Sequence, residues 1–179
     1  MKTIQEQGLT FVESINATQI ADAVKQVAER INHDYKGREP LFVCVLNGAF
    51  IFAADLFRQI SLRSRMAFVR LKSYSGTAST GEVRELVELN EDISGRDIIV
   101  IEDIVDTGYS MHYYKQHLLD KGARSVEVCT FLFKPTALLC PDAKPKYVGM
   151  EIPKEFIVGY GLDIDDYCRN LDAIYTLQK

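Results

Sequence analysis

Short runs of apolar residues alternate along the chain with stretches of helical periodicity. The clearest runs occupy residues 41–46, 98–101 and 124–133. Such runs, bounded by turn formers, are typical of strands that are buried on both faces of a parallel sheet. Apolar residues recur every three or four positions over 18–35, 50–60 and 110–121. This alternation predicts an α/β fold with a doubly wound, mainly parallel sheet flanked by helices.

The remaining predicted strands are shorter or less regular. Residues 66–74 and 83–89 form two of them, joined by the small polar loop 73–81. Short strands are predicted over 147–152 and 155–160, and a final edge strand over 173–177. A long loop rich in glycine and serine is either a disordered connection without a function or a mobile lid over a site. Composition leaves these two alternatives open.

The length of 179 residues leaves room for one domain with at most a small accessory lobe. We expect a single domain over 1–179, with a core of about 36–150. The N-terminal segment and about 151–179 are expected to build a small hood lobe. Residues 1–16 themselves give little indication of structure.

Acids and hydroxyls follow the apolar run 98–101. Glu102 and Asp103 come directly after it, and 106–110 then open a predicted helix. In open α/β sheets, ligand sites lie at the carboxyl ends of the strands. The backbone N–H groups of 106–110, with the hydroxyls of Thr107 and Ser110, can wrap a phosphate.

Glu102 and Asp103 would repel that phosphate directly. They make sense if they accept hydrogen bonds from a neighbouring diol or hold a divalent cation. A phosphate beside a diol describes a ribose 5-phosphate. The competing interpretation is that the acids only cap a helix and solvate a turn. The turn 47–49 is similarly either an anion site or an empty connection.

Several other chemistries are disfavoured by the sequence. It contains no P-loop, no dinucleotide-binding glycine motif and no nucleophile elbow. Its three histidines are too few and badly spaced for a metal site or a triad. The net charge of −4 argues against a nucleic-acid partner. No apolar stretch reaches the roughly 18 residues of a membrane span.

The cysteines and the N-terminal sequence bear on location. The four cysteines are scattered, with none of the close spacing of a zinc site. Reduced thiols, mostly buried, are therefore expected. The first residues lack the apolar core of a signal peptide, and we expect a cytoplasmic protein.

Residues 100–108, with the sequence Val-Ile-Glu-Asp-Ile-Val-Asp-Thr-Gly, resemble the phosphoribosyl pyrophosphate (PRPP) signature of type I phosphoribosyltransferases. The rest of the chain resembles the 6-oxopurine branch, the hypoxanthine(-guanine) phosphoribosyltransferases. The supporting segments are 43–49, 54–56, 72–74, 133–134, 148–153, 156–163 and Arg169. They follow the same order from about residue 40 to the end. The resemblance implies an enzyme of purine salvage that makes IMP or GMP and pyrophosphate.

The resemblance also assigns the residues of the signature. Glu102 and Asp103 would bind the ribose hydroxyls. The 5′-phosphate would be cradled by Asp106, Thr107, Gly108, Tyr109 and Ser110. Asp106 would also be the catalytic residue, lying near purine N7 as a general base or proton partner.

Segments outside the signature would bind the purine. Lys134 would hydrogen-bond the 6-oxo group and so favour hypoxanthine and guanine over adenine. A 6-amino purine would leave this lysine facing a donor, which is a costly mismatch. Phe156 would stack on the base. The backbone of Ile157 and Asp163 would contact its other edge.

The leaving pyrophosphate would have its own ligands. These are Leu46, Asn47, Gly48 and Arg169. A magnesium ion would be held by Glu102, Asp103 and Asp163. Magnesium and Arg169 would neutralise the charge of the leaving group. Ser73 and Tyr74 would belong to a lid that keeps water from the sugar cation, which favours a lid for 73–81.

The expected partners are PRPP and a 6-oxopurine, with no nucleic acid and no membrane. The family implies a homodimer or homotetramer. Two alternatives remain: a regulator that keeps the PRPP site, and an enzyme for another base such as xanthine or uracil. Three positions depart from the family pattern. Asn47 often has a basic counterpart, Ala49 a glycine, and Tyr109 a lysine or leucine, its side chain expected to point away from the phosphate.

Overall fold

The computed structural model describes residues 2–73 and 83–178. Within them, the elements in chain order are β1 (Thr3–Glu6), β2 (Leu9–Ile15), α1 (Ala17–Asp34), β3 (Leu41–Leu46), α2 (Phe50–Phe57), β4 (Arg65–Ser73), β5 (Val83–Val87), β6 (Asp97–Val105), α3 (Tyr109–Asp120), β7 (Ser125–Phe133), β8 (Tyr147–Glu151), β9 (Ile157–Val158) and β10 (Ile174–Leu177). Two short 3-10 turns, Pro135–Ala137 and Pro141–Ala143, lie between β7 and β8.

The larger sheet confirms the predicted architecture. Its strand order is β5-β4-β3-β6-β7-β8, and five of these strands are parallel while β5 runs antiparallel to β4. The apolar runs fill the two central strands, because a strand covered on both faces needs apolar side chains on both. The carboxyl ends of β3, β6 and β7 consequently meet at one edge.

Helices cover both faces of this sheet. Helices α1 and α2 share one core cluster, and α3 packs into the other. The Asn16 side chain caps α1 by accepting a hydrogen bond from the Gln19 amide at 3.0 Å. In turn, the Gln19 side-chain oxygen accepts a hydrogen bond from the Asn16 amide at 2.9 Å. No helix in residues 2–73 and 83–178 is both long and apolar enough to cross a membrane.

Helix α2 ends earlier than the periodicity predicts. The apolar pattern continues to Ile60, but the helix stops at Phe57. The amides of Gln59 and Ile60 each bond to a carbonyl only three residues earlier. The chain therefore tightens into a turn, although its apolar side chains keep the helical spacing.

A second, four-stranded sheet has the order β1-β2-β10-β9, and this sheet together with the turns between β9 and β10 is called the hood below. The segment 173–177 is a strand as predicted, but its placement at an edge was wrong. Strand β10 lies between β2 and β9 and pairs with both. The N-terminal segment forms a β1–β2 hairpin, and its strand β2 pairs with the edge of β10 that was predicted to be free. Gln7 and Gly8 make the two-residue turn, both with positive φ (50° and 76°).

Asp97 joins β6 and β7 at the amino ends of these strands, away from the edge just described. Its side chain is 2% exposed. It accepts hydrogen bonds from Nε and Nη2 of the Arg124 guanidinium and from the Ser125 hydroxyl, the last at 2.7 Å. Bonding to Arg124 lowers the pKa of Asp97 to about 2, from an ordinary value of 3.8. The carboxylate therefore contributes stability that requires the charged form.

Replacement of Asp97 by Asn is expected to lower the free energy of unfolding at pH 7 by about 2 kcal/mol. Because the folded-state pKa is depressed, this contribution is full above about pH 4 and disappears as the pH falls through about 2. Urea denaturation at pH 7 and pH 3 measures it. Asp22→Asn, an exposed change, is the control. An Asp97→Asn deficit that is equal at both pH values would contradict this origin.

Candidate active site

Strand β6 carries the two adjacent acids, instead of ending before them as predicted. Its pairing with β3 ends at Cys44 and Ile101, whereas its pairing with β7 continues to Val105 and Phe133. Backbone pairing with β7 does not depend on side-chain polarity, so the strand runs on. The residues of β6 that follow its last pair with β3, from Glu102 to Val105, line a cleft.

Glu102 and Asp103 form a carboxylate pair in this cleft. The Asp103 amide donates to Glu102 Oε1 at 3.1 Å, and the Ile104 amide donates to Asp103 Oδ1 at 2.7 Å. Burial raises the pKa of Glu102, and the Asp103 charge adds to this rise. Burial also raises the pKa of Asp103, while its hydrogen bonds with Glu102 and the Ile104 amide, and to a smaller extent the charge of Arg169, oppose the rise. Burial therefore disfavours the charged forms of this pair, and a hydroxyl donor or a cation in the cleft would stabilise them.

The predicted magnesium ligands are only partly gathered. Glu102 and Asp103 adjoin, but residues 2–73 and 83–178 contain no cluster of three metal-binding side chains. Asp163 instead forms an ion pair with Arg169 and accepts a hydrogen bond from the Asp166 amide. Magnesium commonly binds one or two carboxylates together with substrate oxygens and waters. The oxygen donors of Glu102 and Asp103 fit an ion that is shared with a substrate.

Residues 102–111 line a cleft of about 220 Å³. Gly108 has a φ of +84° and starts α3 without a side-chain cap among the described residues. The Thr107 carbonyl accepts hydrogen bonds from the amides of Leu139 and Cys140. A side chain at Gly108 would crowd Leu138, so the loop is held closely against 138–143. The free N–H groups at this helix start favour an anion.

Asp106 and Lys134 meet beside this loop. Lys134 Nζ donates to Asp106 Oδ2 at 3.0 Å. Lys134 is 8% exposed, and its own amide bonds to the Val105 carbonyl. A lysine this buried needs a charged partner. The structure therefore joins the predicted catalytic acid and the predicted base-reading lysine in one ion pair.

The turn after β3 packs tightly against the carboxylate pair. Its Leu46–Asn47 peptide bond is cis. A Cβ atom at Gly48 would overlap the Asp103 carboxylate, and one at Gly161 would overlap the Gly48 carbonyl. The predicted pyrophosphate loop thus lies between the acids and a turn of the hood.

Arg169 is oriented by three groups of the hood. Its guanidinium forms an ion pair with Asp163 at 2.9 Å and donates hydrogen bonds to Asp166 at 2.8 Å and to the Gly161 carbonyl at 2.9 Å. Two residues with separately predicted roles, Arg169 and Asp163, therefore contact each other. The same turn that contacts Gly48 positions the guanidinium.

The predicted purine-binding residues lie in the described part of the chain, whereas the predicted lid lies largely outside it. Phe156 is 48% exposed and Ile157 is buried in β9. Tyr109 lines the cleft and is half exposed. Ser73 ends β4, but its side chain and Tyr74 lie outside the described residues. The lid stays a prediction.

Sequence reasoning gave no role to one contact at this edge. The Tyr160 hydroxyl donates to Asp55 Oδ2 at 2.8 Å, across 105 residues of sequence. The segments that contain both residues belong to the family resemblance noted above. No pattern in either segment indicates that they meet.

Comparisons with known proteins agree with this geometry. The profile of the phosphoribosyl transferase domain family matches residues 12–165. The hypoxanthine-guanine phosphoribosyltransferase of Mycobacterium bovis is 39% identical, covering 91% of this chain and 84% of that protein. The Streptococcus thermophilus protein of the same name is 40% identical, covering 89% of each.

Solved structures agree as well. A hypoxanthine phosphoribosyltransferase from Staphylococcus aureus matches with a TM-score of 0.88 at 35% identity, covering 93% of this chain and 90% of that one. A Bacillus anthracis hypoxanthine-guanine phosphoribosyltransferase matches with a TM-score of 0.88 at 38% identity, covering 93% and 98%. The chain therefore belongs to the phosphoribosyltransferase family, among its hypoxanthine-guanine phosphoribosyltransferases.

Proposed function

We propose that this protein transfers the 5-phosphoribosyl group of PRPP to hypoxanthine and guanine, releasing pyrophosphate. One observation carries the proposal: the Asp106–Lys134 pair lies directly beside a helix start suited to a phosphate. A proton acceptor and a buried donor next to a phosphate site match the two neighbouring atoms, N7 and O6, of a 6-oxopurine nucleotide.

The phosphate and sugar would occupy the cleft of 102–111. The N–H groups of 106–110 bind the 5′-phosphate, as helix starts bind anions. Glu102 and Asp103 accept hydrogen bonds from the ribose hydroxyls. Because these carboxylates gain hydroxyl donors when substrate binds, their burial is better tolerated in the complex.

The purine would lie between the Asp106–Lys134 pair and the hood. Lys134 donates to the 6-oxo group, and Asp106 accepts or holds the proton at N7. The exposed Phe156 ring offers a stacking surface. The backbone of Ile157 and Asp163 would contact the far edge of the base.

Pyrophosphate would bind where Leu46, Asn47 and Gly48 face the Arg169 guanidinium. Arg169 keeps its orientation through Asp163 and Gly161, which favours a fixed site for the leaving group. When bound at Glu102 and Asp103, a magnesium ion would supply further positive charge for the departing oxygens. Residues Ser73 and Tyr74 would close over the site and exclude water.

The biological setting is part of the proposal. Cys44, Cys129, Cys140 and Cys168 are free thiols, which suits a reducing compartment such as the cytoplasm. The family precedent supports a homodimer or homotetramer, and sedimentation would determine the number. Small-molecule substrates, with no nucleic acid, are the proposed partners.

Nucleotide formation tests the proposal. The protein is incubated with PRPP, magnesium and one base at a time: hypoxanthine, guanine, xanthine, adenine or uracil. We expect rapid formation of IMP and GMP and little AMP or UMP. Absence of product from both hypoxanthine and guanine would refute the proposal.

Replacement of Lys134 by Gln is expected to relax base selection. The amide can present either a donor or an acceptor, so it removes the fixed ammonium donor that opposes a 6-amino group. We expect kcat/KM for hypoxanthine to fall by about 100-fold while that for adenine changes little. Lys115→Gln on α3 is the control. An unchanged ratio of the two kcat/KM values would exclude Lys134 as the selecting residue.

A further inference from the structure

Two contacts join the hood to the turn and helix that follow β3. Gly161 lies against the Gly48 carbonyl, where a side chain at position 161 would not fit. Its neighbour Tyr160 donates a hydrogen bond to Asp55 on α2. Because α2 begins at Phe50, directly after the 46–48 loop, the two contacts hold both ends of one short segment.

Tyr160 is firmly placed to make its contact. It is 5% exposed, and its ring packs edge-on against Phe131 of β7, with centroids 4.9 Å apart. Its amide donates to the Leu171 carbonyl at 3.0 Å. Burial and the Asp55 carboxylate both raise the pKa of Tyr160. The hydroxyl therefore remains a donor at physiological pH.

The same turn also orients Arg169. The Gly161 amide donates to the Arg169 carbonyl at 2.9 Å, and Arg169 Nη1 donates to the Gly161 carbonyl at 2.9 Å. The position of the guanidinium therefore depends on the position of Gly161, which is the next residue after Tyr160. Any shift of the hood turn relative to α2 would move Arg169 relative to the 46–48 loop.

We infer that the Tyr160–Asp55 hydrogen bond is a positioning latch, which sets the separation between Arg169 and the 46–48 loop for the pyrophosphate group. This inference rests on the proposed function, which places that group between them. Neither latch residue is expected to touch substrate. Their effect is therefore confined to binding of the pyrophosphate moiety, in PRPP or as the free ion.

Three variants test the latch. Tyr160→Phe removes the donor and Asp55→Ala removes the acceptor, whereas Asp55→Asn keeps an acceptor oxygen. We expect the first two to raise KM for PRPP, and for pyrophosphate in the reverse reaction, by about three- to tenfold. KM for hypoxanthine should change less than twofold. Asp55→Asn should behave like the wild type, and a double Tyr160→Phe/Asp55→Ala variant like either single one.

Calorimetric titration with inorganic pyrophosphate and magnesium gives a second measurement that needs no turnover. It should show the same weakening in the two disrupting variants at a temperature where thermal unfolding shows every variant to be folded. Equal pyrophosphate affinity in all variants, or equal loss of affinity for base and pyrophosphate, would overturn the latch. A wild type that binds pyrophosphate but converts no base would instead overturn the proposed function alone.

Discussion

Replacement of Asp106 by Asn is expected to lower kcat for hypoxanthine by about 100- to 10,000-fold, the usual contribution of a positioned general acid or base. The amide can still accept the hydrogen bond from Lys134, now 3.0 Å from Asp106 Oδ2, so the loop should keep its shape. It cannot take up a proton from N7. Steady-state kinetics over a range of PRPP and hypoxanthine concentrations measures the loss.

The control is Asp22→Asn on the exposed side of α1, which removes the same charge at a residue that does not line the cleft. It should leave kcat unchanged. Circular dichroism should show both variants folded. If Asp106→Asn turns over at near wild-type rate, Asp106 takes no part in the chemistry and only partners Lys134.

A methyl group at Gly48 is expected to be nearly as damaging. In Gly48→Ala the new Cβ would overlap the Asp103 carboxylate, so either the 46–48 loop or the acid must move. Displacements of about 1 Å at a reacting site cost roughly 100-fold. We therefore expect kcat/KM for PRPP to fall by about 100-fold, with the largest part in KM for PRPP.

Gly37→Ala provides the matched control for this substitution. Its φ of +78° makes alanine strained, but its Cβ would meet no atom within 4 Å. It should lower the unfolding temperature and leave KM for PRPP unchanged. A Gly48→Ala enzyme with KM within twofold of the wild type would show that the loop adapts and that the tight packing has no role in binding.

The main sheet could be predicted because each of its central strands is marked by a local pattern. The predicted strand 41–46 matches β3 at both ends. An uninterrupted apolar run is typical of a strand that is buried on both faces of its sheet. The end of β6 could not be predicted in this way. Whether a strand continues through Glu102 depends on whether its neighbour, β7, still offers backbone partners.

The hood shows the same limit more strongly. Strand β10 lies inside its sheet only because the N-terminal hairpin pairs with it from about 160 residues away. The sequence of 173–177 does not indicate that β2 is its partner strand. The Gln7–Gly8 turn was not predicted either, because glutamine, unlike asparagine or glycine, does not ordinarily favour the positive φ that it adopts there.

The residues of the candidate site were predicted mainly from the family resemblance. The structure adds which of these side chains contact each other. Sequence spacing does not reveal that Lys134 is buried against Asp106, or that Asp163 is bonded to Arg169. Asp106 and Lys134 follow the ends of two different strands, 28 residues apart, and Asp163 meets Arg169 because the chain turns back between them. The Tyr160–Asp55 contact is the clearest case, because each residue alone has an ordinary sequence context.

A competition experiment tests the central claim most directly. The protein is mixed with magnesium, limiting PRPP and equal concentrations of hypoxanthine, guanine, adenine and uracil, and the nucleotides are separated by chromatography. The arrangement of Lys134 and Asp106 beside the phosphate loop predicts IMP and GMP as essentially the whole product, with stoichiometric pyrophosphate. Formation of AMP or UMP at a comparable rate, or no nucleotide at all, would contradict it.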